Sequence, residues 1–164
     1  MSDYDYEILI IDDSSKDKTF EIAQNYHNIN NELNLKILYN PVNQGYGGNQ
    51  KLGYEYAIQH GFEAVVLLHG DGQYAPEIMD NIVSPLFNNE ADAVFGSRML
   101  IKGNALKGGM PLYKYIGNKI LTGLQNKMLG SSLSEFHAGY RAYSVTAVQD
   151  IPFKRNSNYF HFDT

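Results

Sequence analysis

Apolar residues occur along this chain in short runs, each followed by a polar or glycine-containing segment. The first run, residues 8–11, is continuous rather than alternating, which is typical of a parallel strand covered on both faces. Four further strands are predicted at residues 35–39, 64–68, 93–95 and 140–143, which are mostly apolar. Each of these runs is short enough to be a strand and too short to be a typical helix.

Helical spacing appears between the predicted strands. Apolar residues at positions 20, 22, 23 and 26 recur at intervals typical of a short amphipathic helix. Further helices are predicted at residues 51–60, from Pro76 to a kink or end at Pro85, and at residues 113–129. Residues 40–48 and 103–109 are rich in glycine and predict a turn and a flexible loop.

The alternation of strands and helices indicates the fold class. It predicts an α/β domain spanning residues 1–164, with a mostly parallel sheet and helices on both faces. Ligands of such sheets bind beyond the carboxyl ends of the strands. We therefore expect three groups to gather there: the pair Asp12 and Asp13, the segment His69-Gly70-Asp71, and Ser97-Arg98.

Composition narrows the classes of function. The chain has no cysteine, so disulfides and thiolate metal sites are excluded, and a reducing, cytoplasmic location is favoured. A net charge of -5 gives no general attraction to nucleic acid, and a nucleic-acid partner is not expected. The apolar runs are far shorter than the roughly 20 residues that cross a bilayer, and no signal peptide is apparent.

Two carboxylates, Asp12 and Asp13, end the first predicted strand. They can accept hydrogen bonds from a nucleobase or ribose, or bind a metal ion. The alternative is that one of them caps the turn and helix that follow. A binding role is favoured because two charges crowded at a strand end need a compensating partner.

The segment His69-Gly70-Asp71-Gly72-Gln73 follows the third predicted strand directly. Its ligand-capable side chains alternate with glycines, so that three groups can converge on one cation. A divalent ion held there would neutralise a departing diphosphate. The alternative is a glycine-rich turn with a solvated aspartate, and His69 alone is as often a structural residue as a ligand.

Basic and acidic side chains form three further candidate sites. Lys51 follows the glycine-rich segment 43–48, where backbone amides at a helix start can bind an anion. Arg98 ends the fourth strand and suits a phosphate, the alternative being a surface ion pair. Glu135 and Arg141 are the two ends of a seven-residue segment that can supply a general base and a phosphate clamp, or instead one buried ion pair.

Taken in order, these segments resemble a known family. The motifs are IDDSSKDKT, NQGYGGNQK, HGDGQYAPE, FGSRM, SEFHAGYRAYS and FHFDT. Together they are similar to the dolichyl-phosphate mannosyltransferase-like branch of family 2 glycosyltransferases, over nearly the whole chain. The resemblance implies a Rossmann-like GT-A fold, a nucleoside-diphosphate sugar donor, Mg²⁺ or Mn²⁺, and a polyprenyl phosphate or glycan acceptor in cell envelope glycan synthesis.

The resemblance also implies roles for single residues. Asp13 matches the residue that contacts the nucleotide base, and Asp12 supports the same turn. Asp71 and Gln73 match the metal and diphosphate motif, whose first aspartate is replaced here by His69. Arg98 and Arg141 match arginines near the phosphates, and Glu135 matches an acidic position near the acceptor.

The chain differs from the family pattern at both ends. The first family strand is expected to be missing before Met1, and relatives continue beyond Thr164 with acceptor-side or membrane-associated segments. We therefore expect a truncated chain that is marginally stable alone, with any peripheral attachment to the cytoplasmic membrane face made by segments outside it. Two other functions stay open, a noncatalytic nucleotide-sugar-binding fragment and a phospho-receiver-like signalling domain.

Overall fold

A computed structural model describes residues 4–162, and the predicted features at Met1, Asp163 and Thr164 lie outside this range. Within it the chain forms two compact units, residues 4–65 with 145–162 and residues 66–144. Helices and strands alternate as the sequence pattern predicts, which confirms the α/β class. No helix within residues 4–162 has the length and apolar character needed to cross a membrane.

The first unit is built on a parallel strand pair. Strand β1 (Ile8–Asp12) pairs with β2 (Leu35–Tyr39), with Asp12 opposite Tyr39 at the end of the register. Helix α1 (Thr19–Ile29) connects them, and α2 (Gly45–Gln59) follows β2. The unit is completed by α6 (Val145–Asp150), which contacts α2, and by a short 3-10 helix at Phe153–Arg155.

The second unit contains a three-stranded sheet of order β3-β5-β4. Its strands are β3 (Ala64–Leu67), which crosses the boundary of the units, β4 (Ala93–Phe95) and β5 (Arg141–Ser144). Strand β5 runs antiparallel to β4. Within residues 4–162 the hydrogen-bonded strands form a parallel pair and this three-stranded group. The antiparallel pairing of β4 with β5 was not predicted, because strand pairing depends on contacts that a run of apolar residues does not specify.

The helices of the second unit include a 3-10 turn (Pro76–Ile78) that leads into α3 (Met79–Phe87). Pro76 lies at the start of this turn as predicted, and Pro85 lies inside α3, two residues before its end. The predicted flexible loop at residues 103–109 instead contains α4 (Asn104–Lys107), and the long helix α5 (Leu112–Leu129) follows. A single helical turn is too short to show periodicity.

Each unit has its own buried apolar residues. In the first they come from β2, α2, α6 and the C-terminal segment: Leu35, Tyr54, Ala57, Val145, Val148, Phe153 and Phe162. In the second they come mainly from α3, β5 and the segment before it: Ile82, Val83, Leu86, Ala105, Ala138, Tyr140 and Ala142.

One tyrosine of the first unit has a shifted pKa. The Tyr56 hydroxyl donates a hydrogen bond to the Glu7 carboxylate, and this bond raises the pKa of Tyr56 to about 12.

Helix α2 begins six residues earlier than predicted, so the glycine-rich segment is helical. Gly47 is buried, and its N–H donates to the Asn158 carbonyl over 2.9 Å. A Cβ added at Gly47 would lie 2.5 Å from the Phe162 Cβ and 2.7 Å from the Ser157 carbonyl oxygen. The glycines therefore let the segment 157–162 pack directly on the helix backbone.

We expect Gly47→Ala to lower the free energy of unfolding by about 1–3 kcal/mol, because the added methyl group displaces Phe162 and the backbone of Ser157. Gly53→Ala in the same helix is the matched control. A Cβ there meets only the Ile11 Cδ1 at 3.8 Å, and better helix propensity should stabilise the protein by up to about 1 kcal/mol. Urea denaturation measures both, and equal effects would contradict the close packing at Gly47.

Candidate functional site

The acidic pair at the end of β1 is divided between two environments. Asp13 accepts hydrogen bonds on both carboxylate oxygens: Oδ1 from the Asn40 side chain and the Gln44 N–H, each at 2.8 Å, and Oδ2 from the Gly45 N–H at 3.0 Å. Asn43 Nδ2 also donates to the Asp13 carbonyl. Asp13 therefore caps the positive end of α2.

The Asp12 carboxylate lies in a different environment from that of Asp13. Its side chain is buried, 4% exposed, and Oδ1 accepts a hydrogen bond from the Ser15 N–H at 2.8 Å. Within residues 4–162, Oδ2 is buried and has no hydrogen-bond partner. A buried carboxylate oxygen without a donor is costly unless a ligand supplies one.

The amides at the start of α2 were predicted as an anion site with Lys51. The anion that two of them bind is the Asp13 carboxylate, and the Gly47 N–H is used by the Asn158 carbonyl. Lys51 Nζ donates to the carbonyls of Lys154 and Asn156 and to the Asn158 Oδ1. An ammonium group has three donors, so Lys51 is occupied in holding this C-terminal segment.

The second unit brings two of the predicted motifs together. The Gly139 N–H donates to the Tyr74 hydroxyl over 2.8 Å, and the His69 ring lies edge-on to the Tyr74 ring at 5.7 Å. A Cβ added at Gly139 would lie 2.8 Å from the Tyr74 hydroxyl and 3.0 Å from the His69 Nε2. The backbone of the segment 135–141 therefore packs directly against the segment that carries Asp71.

Asp71 and Gln73 form an exposed turn. The Gln73 N–H donates to the Asp71 Oδ1 over 3.1 Å, and Gly72 between them has φ of +73°. Within residues 4–162 no group of three or more His, Asp or Glu side chains is placed to hold a metal ion. The donor set at this turn, one carboxylate with an amide oxygen and an imidazole nearby in sequence, fits a divalent ion only when phosphate oxygens complete the coordination.

Glu135 is the most extensively bonded carboxylate of the second unit. It is 1% exposed and accepts hydrogen bonds from the Arg98 N–H at 3.0 Å, the Arg98 Nη2 at 3.3 Å and the Asn118 Nδ2 at 2.8 Å. The Ser97 hydroxyl lies 3.5 Å away. Such an arrangement fixes the backbone after β4 and orients the Arg98 guanidinium.

Arg98 and Arg141 have different surroundings. The Arg98 side chain is 39% exposed, its guanidinium lies 5.8 Å from the Tyr74 ring centroid, and its Nε is buried with no partner among residues 4–162. Arg141 is 5% exposed and donates to the carbonyls of Ala138 and Phe136. Arg98 can therefore reach a ligand in solvent, whereas Arg141 holds the preceding turn.

Sequence reasoning did not identify several polar partners. Asn40 and Asn43 hold Asp13, Asn118 holds Glu135, and Tyr74 binds the Gly139 N–H. Asn118 had a detectable signal, because polar residues recur at positions 118, 122 and 126 with helical spacing.

Asp12 and Asp13 lie in one unit and the other site residues mainly in the second, so their gathering at one site stays a prediction.

Comparison with known proteins gives one family. The profile of glycosyl transferase family 2 matches residues 2–152. An uncharacterized protein of Methanocaldococcus jannaschii is 33% identical over 144 residues, which are 88% of this chain and 56% of the relative. No solved structure matches.

Two relatives have names that specify a polyprenyl phosphate. A UDP-N-acetylglucosamine–dolichyl-phosphate N-acetylglucosaminyltransferase of Methanococcus voltae is 32% identical, over 87% of this chain and 60% of the relative. An undecaprenyl-phosphate mannosyltransferase of Micrococcus luteus is 26% identical, over 88% of this chain and 57% of the relative. The chain thus spans less than two thirds of the length of these relatives.

Proposed function

This chain belongs to glycosyl transferase family 2, and from that premise we propose that it transfers a sugar from a nucleoside-diphosphate donor to a polyprenyl phosphate. The named relatives support the acceptor class. The observation that supports binding of the nucleoside-diphosphate sugar is the buried Asp12 Oδ2, which has no partner between residues 4 and 162. Such an oxygen fits a ribose hydroxyl or a base N–H.

We assign different residues to the nucleoside and to the diphosphate of the donor. We assign the nucleoside contact to Asp12, because both oxygens of Asp13 are used by α2 and by Asn40. Lys51 is left out of the assignment because its donors are used by the segment 154–158. In the second unit, the exposed guanidinium of Arg98 is assigned to the diphosphate, and Asp71 is assigned to a divalent ion that binds the diphosphate.

A divalent ion is part of this proposal. Asp71, with Gln73 and His69 as further donors, would hold Mg²⁺ or Mn²⁺ together with the diphosphate oxygens. When bound, such an ion supplies electrostatic stabilisation of the departing diphosphate.

The transfer itself needs little proton chemistry from the protein. An oxygen of the acceptor phosphate attacks the anomeric carbon, the bond from that carbon to the diphosphate breaks, and the nucleoside diphosphate leaves with inversion at the carbon. A phosphate monoester has a second pKa of about 6, so the attacking oxygen is already anionic at neutral pH. Glu135 therefore acts here as a positioning residue for Arg98 rather than as a base. We place the reaction at the cytoplasmic membrane face.

The test combines binding and transfer. We expect UDP or GDP to bind to the 164-residue chain in the presence of Mn²⁺ and not in chelator, because the phosphates otherwise meet unscreened carboxylates. Asp71→Ala should remove the metal-dependent binding, and Asp80→Ala, at an exposed carboxylate of α3, should not. Calorimetry measures both.

Transfer is followed by incubation with a labelled nucleotide sugar and polyprenyl phosphate, and by extraction of labelled lipid. Equal nucleotide binding in chelator would contradict the metal role. Binding without any transfer would identify a noncatalytic nucleotide-sugar-binding protein, and transfer only to a glycan hydroxyl would contradict the proposed acceptor.

A further inference from the structure

Tyr74 lies where three segments of the candidate site meet. Its ring stands edge-on to the His69 ring, with the ring centroids 5.7 Å apart, and the Arg98 guanidinium lies 5.8 Å from its ring centroid. Its hydroxyl accepts a hydrogen bond from the Gly139 N–H over 2.8 Å. All four residues belong to the second unit. One side chain therefore contacts the segment that carries Asp71, the arginine after β4 and the segment before β5.

The Tyr74 side chain is itself fixed in place. Its ring lies 5.8 Å from the ring of Tyr140, which is 1% exposed, and the hydrogen bond from Gly139 holds the hydroxyl at the far end of the ring. A tyrosine side chain has only two rotatable torsions, so contacts at the ring and at the hydroxyl restrict it to one orientation. The ring thus offers a rigid surface to its neighbours.

The Arg98 guanidinium is held by two interactions of different kinds. Glu135 accepts a hydrogen bond from its Nη2 over 3.3 Å, whereas Tyr74 offers it the face of a ring. A cation within about 6 Å of a ring centroid is attracted without giving up any N–H donor. The Arg98 side chain is 39% exposed, and within residues 4–162 its buried Nε has no acceptor. The ring can therefore orient the guanidinium and leave donors for phosphate oxygens.

The backbone at Gly139 fixes Tyr74 and His69 relative to each other. A Cβ added at Gly139 would lie 2.8 Å from the Tyr74 hydroxyl oxygen and 3.0 Å from the His69 Nε2. The φ of Gly139 is not in the left-handed region, so glycine is required there for space and not for backbone conformation. A larger residue would have to displace both side chains.

We infer that Tyr74 is a positioning residue, which holds the Arg98 guanidinium at a fixed place relative to the segment 69–73. The inference rests on the proposed function, in which Arg98 binds the diphosphate and Asp71 binds the divalent ion. Because the ion and the guanidinium bind the same diphosphate, their separation must match it. An arginine that is already ordered loses less side-chain freedom when the ligand binds. Tyr74 thus raises the affinity for the metal-bound nucleotide by acting through Arg98.

Calorimetry of UDP binding in the presence of Mn²⁺ tests this role. Tyr74→Leu should weaken binding about tenfold, the effect of losing a partly desolvated cation–π contact. Tyr74→Phe keeps the ring and should weaken binding by less than about threefold, because the lost hydrogen bond stabilises the free and the bound protein alike. The matched control is Tyr143→Leu, at a half-buried tyrosine of the same unit whose ring packs on that of Phe95, and it should leave binding unchanged.

A double-mutant cycle separates positioning from a general loss of structure. If Tyr74 acts through Arg98, then Arg98→Ala already removes its contribution. Adding Tyr74→Leu to Arg98→Ala should therefore weaken UDP binding further by less than about twofold. A merely structural role of Tyr74 would instead give two losses that multiply.

Gly139→Ala tests the packing that holds Tyr74 against His69. The added methyl group displaces both side chains, so UDP binding with Mn²⁺ should weaken about tenfold or more, as expected when binding groups are misplaced. Gly123→Ala in α5 is the matched control, because a Cβ there meets no atom within 4 Å, and it should bind UDP normally.

A measurement without nucleotide keeps this inference distinct from the proposed function. The chain has three arginines, and Arg98→Lys identifies the Arg98 Nε–H signal in ¹⁵N NMR spectra by its loss. Because this Nε is buried, its proton should exchange slowly with water in the unmodified chain. Exchange should be at least about tenfold faster in Tyr74→Leu, where local protection is lost, and unchanged in Tyr143→Leu.

Two results would overturn the inference: losses of UDP binding that multiply in the cycle, or an Arg98 Nε–H exchange rate that is the same in Tyr74→Leu and in the unmodified chain. If Tyr74→Leu does not fold, Tyr74→Met replaces it in both measurements, since methionine fills irregular space. Absence of UDP and GDP binding by the unmodified chain would contradict the proposed function, and the exchange rates alone would then decide whether Tyr74 holds Arg98.

Discussion

Replacing Glu135 by alanine is expected to lower the free energy of unfolding by about 3–5 kcal/mol, the cost of removing one partner from a buried charged pair. Glu135 is 1% exposed, and its removal leaves the Arg98 N–H and the Asn118 amide without their acceptor. The partial exposure of the Arg98 side chain favours the lower end of this range, because the guanidinium can turn to water.

Urea denaturation of Glu135→Ala, Glu135→Gln and Glu90→Ala checks this expectation. Glu135→Gln should have an intermediate effect, because the amide keeps one acceptor oxygen but loses the charge. Glu90 is exposed, so Glu90→Ala should change stability by less than about 0.5 kcal/mol. A double-mutant cycle with Asn118→Ala should give a coupling of about 0.5–3 kcal/mol.

The same variants separate a structural role of Glu135 from a chemical one. A stability loss in Glu135→Ala within about 1 kcal/mol of zero would contradict the structural role. If such a stable variant lost sugar transfer, the role as a base near the acceptor would be restored. If stability and transfer fall together and Glu135→Gln recovers part of both, Glu135 is a positioning residue.

Asp12→Asn is expected to weaken nucleoside diphosphate binding about 10- to 100-fold, the value of one hydrogen bond to a charged group. Stability should be retained or raised, because the variant removes the charge of a buried carboxylate whose Oδ2 has no partner within residues 4–162, while the Oδ1 contact with the Ser15 N–H is kept.

Asp13→Asn is the matched comparison, and it should lower stability while leaving nucleoside diphosphate binding unchanged. The substitution weakens the cap of α2 and should lower the free energy of unfolding by about 1–2 kcal/mol. Calorimetry with Mn²⁺ and urea denaturation measure the two effects separately. If Asp13→Asn alone lost nucleotide binding at unchanged stability, the nucleoside contact would belong to Asp13 and the assignment to Asp12 would be wrong.

Much of the fold follows from local sequence. Strand β1 and the carboxylates at its end were predicted within one residue, because a continuous apolar run followed by charge is a local pattern. Helix α5 was predicted within one residue at its start and to the residue at its end, because helical spacing of apolar residues is also a local pattern. Helix α4 was missed because a single turn between glycines has no detectable period.

The start of α2 shows where local rules fail. Glycines at positions 45, 47 and 48 favour a turn by propensity, yet all three lie in the helix. Their lack of a side chain allows the segment 157–162 to pack on the helix, more than a hundred residues further along the chain. A contact of that sequence separation has no signal in a window of neighbouring residues.

The sequence by itself determined the α/β class, the order of most elements, the family and the set of polar residues at the strand ends. Only the tertiary structure decided what each of those residues does. It showed that Asp13 caps α2, that the Asp12 Oδ2 has no partner within residues 4–162, that Glu135 binds Arg98, and that many apolar side chains of α5 are exposed. The physical reason is that apolar periodicity is set by neighbouring residues, whereas a hydrogen-bond partner is set by distances between atoms far apart in the chain.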